Sequence, residues 1–112
     1  MSLAIRLLPE PIRSLAAASI GAGYMGIGTA FTNPSRILKV DNLTDVTLMF
    51  SMDGVNDHFV LPSNGFLLID ITANNTVSVG CFIASGTRIY VKEVGVPTTG
   101  SVYVSTFYGA NG

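Results

Sequence analysis

Charged residues are scarce in this chain of 112 residues, and their scarcity limits the surfaces that it can form. Only 12% of the residues are Asp, Glu, Lys or Arg, whereas about 25% is usual in soluble domains. Charges keep monomers soluble and apart, so a surface this poor in them is expected to contact other protein. The six basic residues are scattered among seven acidic ones, and the net charge is −1. No basic stripe could neutralise phosphates, and the sequence therefore predicts no nucleic-acid partner.

Cysteine and histidine occur once each. A single cysteine excludes an intrachain disulfide, and Cys81 lies in the strand-like run 77–85, where a free thiol is typically a small buried apolar group. His58 follows Asp57, but successive residues of a strand point to opposite faces, so the two are not expected to form an acid–base pair. No Ser/His/Asp set can be assembled either. The sequence predicts a protein that is not an enzyme, with no catalytic residue and no cofactor.

The chain has no hydrophobic run that is both long and unbroken. Residues 3–8 are apolar, but two prolines, a Glu and an Arg within residues 9–13 interrupt what should be the continuous core of a signal peptide. The uncharged stretch 14–35 contains four glycines and an Asn-Pro pair, which argues against a membrane span. We expect no membrane partner. Residues 1–19 are predicted to form an N-terminal arm that includes a short helix over residues 11–19.

Glycine is concentrated in Gly21-x-Gly23-x-x-Gly26, which has the spacing of the dinucleotide-binding fingerprint. That fingerprint requires a preceding strand and a following helix, so that the pyrophosphate meets the helix N-terminus. Residues 27–34 disfavour a helix, because they include a further glycine, two threonines and an Asn-Pro pair. The motif predicts an extended segment in which backbones approach closely, and no nucleotide site.

Two short acidic segments each offer a functional alternative: calcium binding at residues 53–57, and paired-carboxylate catalysis of the glycosidase type at residues 41–45. Residues 53–57 (DGVND) lack the alternating ligands and the terminal Glu of an EF-hand loop, and Asp-Gly between strands is a strong hairpin signal. Residues 41–45 (DNLTD) are typical of a turn capped by Asx hydrogen bonds. Paired-carboxylate catalysis would need a facing carboxylate, and the sequence identifies none. The sequence therefore predicts turns at both segments and no metal site.

What the chain does contain is a period of two in its apolar residues. Residues 46–52 and 101–109 alternate apolar and polar side chains, whereas residues 66–72 are apolar on most of both faces, which predicts a central strand. Short strands are also predicted at 35–41, 59–61, 77–84 and 87–94, with a further candidate at 24–31. Seven or eight strands spaced by about 8–12 residues indicate an all-β fold, an antiparallel β-sandwich or a jelly-roll-like barrel, over residues 20–112.

Two segments carry a resemblance to a known class of proteins. FSMDGVNDHFVLPSNGFLLIDIT (residues 50–72) and ASGTRIYVKEVGVPTTGSVYVSTFYG (residues 84–109) resemble small all-β virion proteins of tailed bacteriophages. In those proteins a hairpin of the form S-x-D-G precedes an L-P turn, and a G-T-x-I-Y-V-K strand precedes the last one. The resemblance implies a non-enzymatic subunit of the virion that decorates or cements the capsid, or joins head and tail.

The resemblance also implies partners. It predicts a homo-oligomer that binds capsid or connector subunits, often with a terminal arm laid on a neighbour. Candidate interface residues are apolar side chains of the arm and aromatic side chains of the last two predicted strands, namely Leu3, Ile5, Leu7, Leu8, Ile12, Tyr90, Tyr103, Phe107 and Tyr108.

An alternative function is a carbohydrate- or ligand-binding β-sandwich module. Tyr90, Tyr103, Phe107 and Tyr108 would then form an aromatic platform, because Tyr90 and Tyr103 are expected on neighbouring strands. Exposed strand tyrosines also serve cross-strand packing and protein interfaces, so the same residues suit both functions.

Overall fold

The computed structural model of the chain describes residues 5–72 and 83–111. Its elements are, in chain order, β1 (Ile5–Pro9), β2 (Arg13–Ala16), a 3-10 helix (Ala17–Ser19), β3 (Met25–Gly26), β4 (Ser35–Asn42), β5 (Leu48–Ser51), β6 (Phe59–Leu61), β7 (Phe66–Asp70), β8 (Tyr90–Glu93) and β9 (Ser101–Asn111). The strands form two antiparallel sheets, as the predicted β-sandwich requires. Within these ranges no helix has the length and apolar character needed to cross a membrane.

Sheet A has the strand order β1-β9-β4-β7, with β2 also paired to β9. β9 is long enough to hold two partners on one side: β1 pairs with its second half and β2 with its first half. The arm therefore supplies a broken edge strand to its own subunit. Arg13 lies opposite Val104, and Ala16 lies opposite Ser101.

The predicted helix over residues 11–19 was wrong, apart from the 3-10 turn at Ala17–Ser19. Arg13–Ala16 is a strand. The backbone hydrogen bonds that β2 makes with β9 outweigh the helix propensity of Leu15 and Ala16, since tertiary pairing routinely overrides local preference. The two prolines at positions 9 and 11 also hold the preceding backbone in extended conformations.

Sheet B has the order β3-β8-β5-β6, in which β5 and β6 form an antiparallel hairpin around residues 52–58. The predicted hairpin at residues 53–57 is confirmed. The candidate strand at 24–31 is reduced to Met25–Gly26, which pairs with Tyr90 and Val91. The predicted close approach of backbones is not seen at this motif: the Arg88 guanidinium occupies the space that a Cβ on Gly26 would need, and nothing lies within 4 Å of a Cβ on Gly21 or Gly23.

The core lies between the sheets and is lined by the inward residues that the period of two predicted. Leu48 and Phe50 of β5 are fully buried, and Phe50 stacks on Phe59 with ring centroids 5.2 Å apart. The other fully buried apolar side chains come from both sheets and from the loops before β4 and β8: Ile27, Phe31, Leu38, Val40, Ile89, Val91, Val102 and Val104. The predicted strand at 77–84 and Cys81 lie outside the described residues, except that Ile83 forms a bridge with Ser35.

The predicted strand at residues 66–72 is β7, but its side chains are not buried on both faces as those of a central strand would be. Among the described strands, β7 pairs only with β4 and is the last strand on that side of sheet A. Leu67 and Ile69 pack on the core, whereas Phe66 and Leu68 point outward with exposed fractions of 59% and 54%. The apolar side chains on both faces of β7 therefore do not mean that both faces are buried.

Candidate interaction surface

The outward face of sheet A carries several apolar side chains among a few polar ones. Cross-strand partners lie side by side on one face, and the register places Asp41 between Phe66 and Tyr103, and Leu68 beside Lys39. Ile37 lies beside Phe107 in the next row. We refer to this surface as the sheet A face, and its apolar members are Ile37, Phe66, Leu68, Tyr103 and Phe107.

Lys39 and Asp41 compensate each other within the sheet A face, and Asp70, opposite Ile37, adds one further negative charge. Lys39 Nζ lies 3.3 Å from Asp41 Oδ1 and 5.1 Å from the centroid of the Phe66 ring. An ion pair and a cation–π contact therefore hold the same ammonium group over the apolar surface. The face presents exposed apolar area with little net charge, as protein-contacting surfaces do.

The structure separates the predicted interface residues. Tyr103 and Phe107 belong to the sheet A face, and Leu7, opposite Gly109, extends it along β1 and is exposed. Ile12 is exposed at the bend between β1 and β2. Leu8 is half-buried, and Ile5 pairs through its backbone with Asn111. Leu3 lies outside the described residues. Phe66 and Leu68 were not predicted, although their alternation with Leu67 and Ile69 was the available signal.

The predicted aromatic platform does not form as one surface. Tyr90 lies on β8 of sheet B and Tyr103 lies on β9 of sheet A, so the expectation that their strands are neighbours was wrong. Tyr90 instead packs beside Gly54, with Arg88 Cζ 5.6 Å from its ring centroid. Tyr108 lines a cleft at the bend between β1 and β2. Tyr90 and Tyr103 therefore do not share a surface on which a sugar could stack.

The acidic loop at residues 53–57 is a capped turn. The Asp53 carboxylate accepts hydrogen bonds from the Asn56 and Val55 N–H groups, each at 2.8 Å, from the Asn56 side chain and from Ser51 Oγ. These donors stabilise the ionised form and hold the Asp53 pKa well below its usual range. Its lone pairs are engaged by the protein. In the described part of the chain no group of three acidic, His or Cys side chains could hold a metal ion.

Asp57 and His58 precede β6 and have different hydrogen-bond partners. Asp57 accepts a hydrogen bond from the Tyr24 hydroxyl and pairs with Lys92 at 3.0 Å. His58 Nδ1 accepts the Met52 N–H at 2.8 Å. Burial and the hydrogen bond to Asp57 raise the pKa of Tyr24 to about 12. No hydrogen bond joins Asp57 to His58 among these contacts, and the arrangement braces the 52–58 loop against sheet B.

A buried ion pair, which the sequence reasoning missed, fastens the arm to the loop before β4. Arg13 Nη2 donates to Glu10 Oε1 at 2.7 Å, and both side chains are almost fully buried. Glu10 also accepts hydrogen bonds from the Asn33 N–H and side chain, and from the Thr32 N–H. Burial alone would raise the Glu10 pKa, but these hydrogen bonds outweigh it and the pKa is lowered. The spacing of three between an acid and an arginine was the one signal available.

The ion pair lies beside a cleft of about 500 Å³ that is lined by the arm, Gly28, Thr29, Thr32, Asn33 and Tyr108. Arg13 also donates hydrogen bonds to the Thr29 and Ala30 carbonyls and to Thr106 Oγ1. Its Cζ lies 4.9 Å from the centroid of the Phe31 ring. Both charged groups at the cleft, the Glu10 carboxylate and the Arg13 guanidinium, therefore bind groups of the protein itself. They serve to hold the arm in place.

Asp45 provides a test of pH dependence. The Thr98 hydroxyl and the N–H groups of Thr98 and Thr99 hydrogen-bond its carboxylate and lower its pKa to about 2. Because the folded-state pKa is below the unfolded value, this stabilisation is present above pH ~4 and is lost as the pH falls through about 2. We expect the Tm difference between wild type and Asp45→Asn to be largest at neutral pH and to shrink towards pH 2, measured by differential scanning calorimetry. A difference independent of pH would contradict this assignment.

Comparison of the chain with family models, with curated proteins and with solved structures finds no match.

Proposed function

We propose that this protein is a non-enzymatic structural subunit of a tailed-bacteriophage virion that associates with copies of itself, and that decorates or cements the capsid or joins head to tail. The observation that carries the proposal is the sheet A face. Phe66 and Leu68 are more than half exposed there, and the nearest charges, Lys39 and Asp41, neutralise each other. Apolar area of this kind drives association because its burial removes it from water.

The composition supports the same proposal. A chain with only 12% charged residues has few side chains with which to keep its copies apart. Symmetric association of identical subunits is the ordinary way to cover such a surface. The arm does not compete for the sheet A face, because β1 and β2 are paired to β9 within the same subunit.

Sedimentation velocity across protein concentrations of about 1–100 µM tests self-association, because the oligomer population follows mass action. We expect species heavier than the 11.8 kDa monomer at the high end. Phe66→Ser should reduce them, because it removes an exposed aromatic side chain from the sheet A face. Val96→Ser is the matched control, since Val96 is 70% exposed in the loop between β8 and β9, away from that face.

Co-sedimentation of the protein with purified capsids and connectors of tailed phages tests the virion assignment. We expect saturable binding that Phe66→Ser weakens more than Val96→Ser. A compact monomer at every concentration, with no binding to capsids or connectors, would overturn the proposed function.

A further inference from the structure

Four sheet edges are present among the described strands, and they differ in how they are protected against pairing with another chain. Native edges are blunted by short length, proline, bulges or charge. β3 has only two residues, and β6 has three and ends at Pro62. The β1–β2 edge is broken between Pro9 and Arg13. β7 has five residues, no proline or glycine, and an unshifted register with β4.

The backbone groups that β7 leaves unpaired can be assigned from its register. Asn42 N–H donates to the Gly65 carbonyl, and Ile71 N–H donates to the Arg36 carbonyl. Hydrogen-bonded pairs alternate along an antiparallel ladder, so Leu67 and Ile69 direct their N–H and C=O groups to β4. The corresponding groups of the alternate residues, Phe66, Leu68 and Asp70, point to the open side of β7, where no described strand pairs with them.

We propose that β7 pairs antiparallel with β7 of a second copy of this chain, about a two-fold axis at Leu68, so that two copies of sheet A become one continuous sheet. The inference rests on the proposed self-association and specifies its geometry. Leu68 pairs with Leu68 of the second copy, and Phe66 pairs with its Asp70. Each of these residues carries the outward-pointing backbone groups, so each pair exchanges both of its hydrogen bonds.

Charge complementarity indicates a second copy as the occupant of this edge. In the proposed register, Asp70 of one copy lies opposite Phe66 of the other, over whose ring Lys39 Nζ lies at 5.1 Å. Lys39, which also pairs with Asp41, thus approaches the partner's Asp70, and the contact is repeated by symmetry. Asp70 accepts hydrogen bonds from the Thr72 N–H and hydroxyl, which lower its pKa and keep it ionised.

The other registers centred on an outward-pointing residue are less favourable. Pairing centred on Asp70 would place two carboxylates directly opposite each other, and like charges in that position destabilise a sheet. Pairing centred on Phe66 would leave Leu68 and Asp70 without partners inside β7. The register centred on Leu68 uses all three outward-pointing residues and places the apolar pair on the axis.

Substitution of Leu68 by lysine tests the axis. Two copies of Leu68→Lys would bring two ammonium groups together at the two-fold, and we expect the dimer dissociation constant to rise at least about tenfold. Val60→Lys is the matched control, because Val60 is 51% exposed on the edge strand β6 of sheet B, compared with 54% for Leu68. Both variants should keep the wild-type circular dichroism spectrum, since both side chains point to solvent.

A cysteine at the axis gives a second, positive readout. In the background Cys81→Ser, the variant Leu68→Cys would place two thiols on residues whose Cα atoms lie about 5.5 Å apart, within disulfide reach. We expect a cross-linked dimer after mild oxidation, and none with Val60→Cys in the same background. Self-association that neither Leu68→Lys weakens nor Leu68→Cys traps would overturn the β7 pairing and leave the proposed function standing. A monomer at every concentration would overturn both.

Discussion

Arg13→Met is expected to lower the free energy of unfolding by about 3–5 kcal/mol, the usual cost of removing one partner from a buried ion pair. The substitution leaves the Glu10 carboxylate buried without its countercharge, and it leaves the Thr29 and Ala30 carbonyls without their guanidinium donor. Because each kcal/mol corresponds to about 4–8 °C for a domain of this size, the Tm should fall by at least about 12 °C. Urea unfolding and calorimetry measure both quantities.

Two further variants separate this effect from a general loss of a cation. Lys92→Met removes one positive charge from the exposed ion pair with Asp57. It should lower the free energy of unfolding by less than about 1 kcal/mol. The double variant Glu10→Gln/Arg13→Met should recover part of the loss, since it also removes the uncompensated carboxylate. If Arg13→Met were no more harmful than Lys92→Met, the ion pair would not be what fastens the arm.

Asn42→Ala should destabilise the protein by about 3 kcal/mol or more, because each buried acceptor left without a donor costs about 1–3 kcal/mol. Asn42 lies at the end of β4, fully buried. Its side-chain amide donates to the carbonyls of Val46 and Leu61 at 2.9 Å and of Pro62 at 3.1 Å. One side chain of sheet A thus binds the backbone at the end of β6 in sheet B. Urea unfolding measures the loss.

Asn56→Ala is the control, since that side chain is exposed and bonds only Asp53 among the described contacts, and it should change stability by no more than about 0.5 kcal/mol. Asn42→Asp provides a sharper test. The new carboxylate would face carbonyl oxygens at neutral pH, whereas its protonated form could donate to one of them. The free energy of unfolding of Asn42→Asp should therefore approach that of the wild type as the pH is lowered. A deficit that did not change with pH would contradict the role assigned to the Asn42 amide.

The fold class could be predicted because period-two alternation is a local property. Leu48 and Phe50, or Val102 and Val104, are two residues apart, and the pleat of a strand places them on one face without reference to the rest of the chain. The turn at residues 41–45 was predictable for the same reason, since Asn42 Oδ1 accepts the Thr44 N–H two residues on. The interpretation of Gly21-x-Gly23-x-x-Gly26 also rested on neighbouring residues, because those that follow the motif disfavour a helix.

The errors concern pairing between distant residues. Apolar side chains on both faces predicted a central β7, yet Phe66 and Leu68 are exposed, and β4 is the one described strand that pairs with β7. Alanine-rich sequence predicted a helix at residues 11–19, but β9, about 85 residues further on, offered Arg13–Ala16 a strand partner. Adjacent predicted strands placed Tyr90 near Tyr103, whereas the chain crosses from sheet B to sheet A between them.

The sequence by itself determined where most of the strands and turns lie and that few charged residues cover them, because both depend on composition or on residues a few positions apart. The tertiary structure alone decided that Phe66 and Leu68 are exposed on a strand that pairs with no described strand besides β4, that Tyr103 and Phe107 share their face, and that Glu10 and Arg13 are buried together against the loop before β4. Those outcomes depend on which strands pair and in which register. Strand pairing is a contact between distant parts of the chain, and alternation within a strand leaves it undetermined.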